Sequence, residues 1–206
     1  MTTRHTALPV LGFALAMTLL IVPIAFGETT PAFALRVLSS KVSLAGTSNI
    51  HPYTASTTVT RLVRLQLADG VLGEDVWNAI IKPGAIEAFE IAIPAATLSS
   101  PKEGLDKNMH KALKVTQHPE ITFRLSRVEA DATGALKGIG ILRIAGVERE
   151  TALTLATQRS DAGITVTGQV PLMMTDFGIE PPKAMLGMLK TDPKLTVTFE
   201  IVLGLK

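Results

Sequence analysis

The chain has 206 residues, enough for one full-sized domain and short for two, and its 20 Lys and Arg against 18 Asp and Glu leave a formal charge of +2. Having no cysteine, it cannot form disulfides, thiolate metal sites, a cysteine nucleophile or a lipidated N-terminal cysteine. With one Tyr, one Trp and scattered cations it offers no row of base-stacking platforms, so nucleic acid is not an expected partner.

No charged residue lies between His5 and Glu28, and the apolar stretch 7–26 follows Arg4, which is the layout of a secretory signal. The run is also long enough to span a bilayer, so an uncleaved anchor is the alternative; Pro9, Gly12, Pro23 and Gly27 weaken it. Two small-x-small sites follow, Ala25-Phe26-Gly27 and Ala32-Phe33-Ala34, the second directly before the first strand-like segment. The expectation is a cleaved signal at 1–34, a mature domain at 35–206 in the periplasm or secreted, and no stable membrane insertion afterwards.

Beyond Lys41 the dominant signal is period-two alternation. Eight strands are expected, at 41–46, 59–67, 89–93, 121–125, 138–144, 151–157, 164–172 and 195–203. In the last, Leu195, Val197, Phe199, Ile201 and Leu203 share one face, and Thr196, Thr198 and Glu200 the other. Turn signals separate the strands: Asp69-Gly70, Pro83-Gly84, 131–134, Gly146, 161–163 and Asp192-Pro193. Two segments read as helical: 102–115, with Leu105, Met109, Ala112 and Leu113 on one stripe, and 182–190, with Ala184, Met185, Met188 and Leu189 as its apolar side behind Pro182. Without long crossovers a parallel sheet is not expected, and eight antiparallel strands leave a sandwich or a closed barrel.

Several stretches together resemble the YceI-like family. They are 44–51, with Ser48-Asn-Ile-His51; 96–100, leading through 105–109 to His118-Pro-Glu-Ile-Thr-Phe123; 138–147; and Met173-Met-Thr-Asp-Phe-Gly-Ile179. The chain is similar to a divergent branch, since its first strands carry Ser48-Asn-Ile-His51 and Arg61-Leu-Val-Arg64 where better-studied members carry more aromatic residues. The resemblance implies a lipocalin-like barrel, so the eight strands are expected to close as an all-β, eight-stranded antiparallel lipocalin-like barrel with the two short helices near its mouth. It also implies a polyisoprenoid or other lipid-like ligand, with a homodimer left open and no cofactor.

The lumen-facing or helix-stripe residues expected to meet that ligand are Val63, Leu65, Phe89, Ile91, Leu105, Met109, Phe123, Leu125, Val166, Met173, Phe177, Met185, Met188, Leu189 and Phe199. The methionines suit a surface that adapts to an irregular chain, and equally an ordinary core. Asn49, His51 and Asp176 read as turn-forming residues. A catalytic or metal-binding His51 is the competing reading, with Asp176 or Glu103 as partner, but zinc needs three or four converging ligands, and His110 and His118 stand at no ligand-like spacing. Ser99, Ser100 and Ser126 lie in no Gly-x-Ser-x-Gly elbow, so an enzyme is not expected. The remaining alternative is a structural or protein-interaction barrel whose lumen is filled by side chains such as Phe89, Phe123 and Phe199.

Overall fold

The computed structural model describes residues 35–71, 76–130, 132, 135–161, 163–184 and 188–205. The expected signal and both cleavage sites therefore lie outside the described residues. The described strands are β1 (Leu35–Ser48), β2 (Pro52–Thr57), β3 (Arg61–Leu67), β4 (Ile86–Pro94), β5 (Glu120–Ala130), β6 (Leu136–Ile144), β7 (Val147–Ser160), β8 (Gly163–Met173), β9 (Lys183–Ala184) and β10 (Leu189–Leu205). Nine of them form one antiparallel path, β2-β1-β10-β8-β7-β6-β5-β4-β3, and β9 pairs only with the start of β10.

The all-β antiparallel expectation holds, but the curled sheet has nine strands rather than eight. The extra strand is β2, Pro52-Tyr-Thr-Ala-Ser-Thr57, whose inward face is Tyr53, Ala55 and Thr57, two of them small. Small inward residues carry little apolar signal, and Pro52 is tolerated because it opens an edge strand. Asp192-Pro193 does not end a strand. It sits in a register shift within β10, where the Asp192 carboxylate accepts the Lys194 N–H at 2.8 Å.

Two helices flank opposite ends of β4: α1 (Val76–Ile80) on the β3–β4 connection and α2 (Glu103–Ala112) on the β4–β5 connection. This corrects the expectation of two helices near one mouth. The end of α2 is set by Lys114 in the left-handed region at φ 54, with Val115 N–H donating to His110 O and Lys114 N–H to Lys111 O. The helix is docked by its first and last turns, through Ser100 N–H to Asp106 Oδ1 at 2.7 Å and His110 Nε2 to Leu98 O at 2.8 Å.

The helix expected at 182–190 is instead a β-hairpin, Lys183–Ala184 against Leu189–Lys190. Its reason is long-range. Asn49 donates N–H to Lys190 O at 3.0 Å, accepts the Lys190 N–H on Oδ1 at 2.8 Å, and donates Nδ2 to Met188 O at 2.8 Å. A nine-residue apolar stripe has little helical stability of its own, so three bonds from another hairpin decide the conformation. Met185 lies outside the described residues.

Candidate ligand-binding lumen

The inner face of the sheet surrounds a cavity of about 250 Å³ whose walls come from β1, β3 to β8 and β10, with Ile80 and Ile81 contributed at α1 and Leu113 at the end of α2. Among the described residues, Thr157 is the one polar side chain in that wall. Four phenylalanine rings line the lumen, and glycines lie against two of them. Leu142, facing Phe123 in the β5–β6 register, is followed inward along β6 by Gly140, where an added Cβ would collide with the Phe123 ring. Gly168 on β8 does the same for Phe199 on β10.

Of the residues expected to meet a ligand, Leu65, Phe89, Ile91, Phe123, Leu125, Val166, Met173, Phe177 and Phe199 line the cavity. Val63 does not. A bulge between Leu62 and Arg64 inserts it as an extra residue, so Leu62 and Leu65 point inward and Val63 is 52% exposed. Leu105 and Met109 are half-buried on α2 but outside the lining, Leu189 is half-buried at the start of β10, and Met188 is 65% exposed at the hairpin tip. Capping of the lumen by a helix at 182–190 is therefore corrected: Met174, Phe177 and Ile179 stand in the wall at that end of the sheet.

Residues missed by the alternation argument include Ile80, Ile81, Ile86, Leu98, Val128 and Leu136. Val128 turns inward because a second bulge, between Leu125 and Arg127, shifts the parity of β5. Ile80 ends a helix of five residues, and Ile81 follows it in the turn; the helix is shorter than any periodic pattern can reveal.

The turn residues take other partners than expected. Ser48, not His51, closes the β1–β2 turn: its Oγ accepts the N–H groups of Ile50 and His51 and donates to His51 O at 2.8 Å. The exposed His51 ring uses Nδ1 on Pro52 O at 3.0 Å, which requires that nitrogen to carry the proton. Asn49 ties two hairpins together, as described above. Asp176 is exposed in a 3₁₀ turn closed by the backbone, with Gly178 N–H on Thr175 O, Ile179 N–H on Met174 O, and Gly178 in the left-handed region at φ 65. The His118 ring lies over Gly146, the second residue of a two-residue hairpin turn in which Ala145 and Gly146 both have positive φ. The three described histidines are thus held in three separate settings, and among the described residues no group of three His, Asp or Glu side chains is placed to hold a metal ion.

Residues 39–203 match the family described as the YceI-like domain. The chain belongs to the YceI-like family. No sequence among curated proteins matches it. Among solved structures, the fold is similar to that of Burkholderia cenocepacia BcnA, at 15% identity and TM-score 0.62 over 80% of this chain and 96% of that one. It is similar to a polyisoprenoid binding domain from Saccharophagus degradans, implicated in plant cell wall breakdown, at 13% identity and TM-score 0.61 over 84% and 99%. A Campylobacter jejuni YCEI protein aligns at 14% identity and TM-score 0.54 over 74% and 84%. At these identities the likeness is one of fold. The YceI-like architecture accounts for the curled antiparallel sheet and leaves the contents of the lumen to the chain's own side chains.

Proposed function

We propose that this YceI-like protein is exported and that it binds, sequesters or carries a long apolar molecule of isoprenoid type in its lumen. The observation that carries this reading is the wall itself: aliphatic and aromatic side chains throughout, with Thr157 alone polar among the described residues. Such a wall rewards each methylene taken from water by about 0.8 kcal/mol and gives a charged or hydrogen-bonding substrate nothing in return for its lost hydration. The polyisoprenoid binding domain from Saccharophagus degradans, which shares the fold, supports the same ligand class. About 250 Å³ lies just below the usual range of small-molecule pockets, so the cavity holds one segment of such a chain and a longer one extends beyond it.

The test is to express the full chain in a bacterial host, fractionate the cells, and extract the purified protein with organic solvent for mass spectrometry. An intact mass starting at Leu35 in the periplasmic fraction, with an apolar molecule in the extract, is expected. Protein without extractable lipid, which also fails to bind an added apolar probe, would mean a barrel filled by its own side chains. Recovery only from membranes with 1–34 attached would replace export with anchoring.

A further inference from the structure

The curled sheet has two ends, β2 and β3, and among the described residues no strand ladder joins them. β2 covers β1 only from Val42 onward, so the first half of β1 stands beside β3 with no backbone pairing between the two. Both facing strands are bulged, β1 between Val37 and Ser39 and β3 between Leu62 and Arg64, and mismatched bulges prevent two edges from zipping together. At one end of the seam a short clasp ties β2 to the β4–β5 connection and β1 to the β2–β3 link. Ser56 and Ser99 exchange two backbone bonds of 2.8 and 3.0 Å, the Thr57 and Thr97 hydroxyls meet at 2.7 Å, and Ser40 Oγ donates to Thr58 O at 3.0 Å. All are neutral bonds, and the neighbouring Thr60 hydroxyl is buried without a partner among the described residues.

The rim of the seam mixes the exposed cations Arg36, Lys41, Arg61 and Arg64 with three exposed apolar residues. Leu38 on β1, Val59 on the β2–β3 link and Val63 on β3 are 41%, 43% and 52% exposed. Isolated exposed apolar residues need no explanation, but these three share one seam, and the two at bulges sit next to Val37 and Leu62, which pack on the core. Behind them Val42 and Leu65 are lumen wall. Apolar side chains thus stand between solvent and the cavity wall at this seam, alongside the buried Ser40, while Ile80, Ile81 and Leu113 from the two helical connections complete the wall elsewhere.

We propose that this seam is the lateral portal by which an apolar chain reaches the lumen, and that the Ser56–Ser99 and Thr57–Thr97 contacts are the clasp that opens to admit it. The proposal rests on the lumen reading above and adds its route. The natural chain has no cysteine, so an engineered pair can staple the clasp alone. Ser56 and Ser99 are a hydrogen-bonded antiparallel pair, whose usual Cα separation of about 5.5 Å suits a disulfide.

Uptake of diphenylhexatriene, an uncharged apolar rod whose fluorescence rises out of water, is followed by stopped flow in wild type, Ser56→Cys/Ser99→Cys, and a control staple Lys137→Cys/Thr154→Cys in the β6–β7 ladder. Oxidised Ser56→Cys/Ser99→Cys is expected to load at least about tenfold more slowly than its reduced form, as for binding gated by a conformational step. The control staple is expected to change nothing. Thr97→Ala, which loosens the clasp without a new bond, is expected to load faster than wild type, and it keeps the test alive if the double-cysteine chain folds poorly. Equal rates in the oxidised and reduced seam variant, equal slowing by the control staple, or an unchanged rate in Thr97→Ala would overturn the portal and assign access to the ends. No fluorescence gain in wild type would instead overturn the lumen reading, and the portal with it.

Discussion

The wall from β5 through β8 to β10 and the seam between β1 and β3 enclose the same cavity by opposite means. In the wall, every strand is laddered on both sides and the inward rings of Phe123 and Phe199 sit beside glycines that leave no slack. At the seam, backbone pairing lapses, bulges expose Leu38 and Val63, and hydroxyl-containing side chains supply much of the contact. A ladder with interdigitated rings cannot part without losing many bonds at once, whereas a few neutral hydrogen bonds can. On the proposed reading, rigidity and access are separated around one lumen.

The largest effect that bears on this contrast is expected in the wall. Phe123→Ala removes a buried ring that lines the lumen and touches the central cluster, and should lower unfolding free energy by about 3–5 kcal/mol in chemical denaturation. A loss no greater than that of an exposed wall substitution would show that the wall is as yielding as the seam. Gly168→Ala comes next. Its Cβ would meet both the Phe199 ring and the Thr154 carbonyl of the neighbouring strand, and because one of these is backbone the ladder must shift, at about 1–3 kcal/mol. The same variant should shrink the space beside Phe199 and weaken diphenylhexatriene binding; unchanged stability and binding would mean that the ring swings aside freely.

The smallest effect belongs to the seam side. Tyr53 on β2 lies over Gly46 with its hydroxyl buried and unpartnered among the described residues, and burial, with a smaller contribution from the Asp192 carboxylate, raises its pKa above the ordinary 10.0. The folded chain then holds this proton more tightly than the unfolded one, so the contribution is fully present below pH 10 and is lost as pH rises through the raised value. Tyr53→Phe should change stability at neutral pH by less than about 1 kcal/mol, because no hydrogen bond is removed, while flattening the alkaline loss. Parallel alkaline melting curves for the variant and wild type would assign that sensitivity to other groups.

How much of this was legible in the residues differs from element to element. The alternation at 195–203 and 164–172 announced β10 and β8 because one face of each is apolar and turned to the core. The faces of Phe89, Phe123, Val166 and Phe199 followed directly, and all four line the cavity. Val63 and Val128 were misassigned or missed for one shared reason: a bulge adds a residue to one strand only, and parity read along that strand cannot register it. The segment at 182–190 carried a helical stripe and became a hairpin, since its conformation is set by hydrogen bonds from Asn49, more than a hundred residues earlier.

By itself the sequence determined the chemistry of the lumen: most of its strands, the side chains that regular alternation turns inward, and that almost none of these is polar, because burial of one face is written at period two. Only the tertiary structure decided where the lumen is sealed and where it is merely clasped. Bulges, the β2 edge and the Ser56–Ser99 bridge depend on how strands distant in the chain meet when the sheet curls, and no local pattern encodes that meeting.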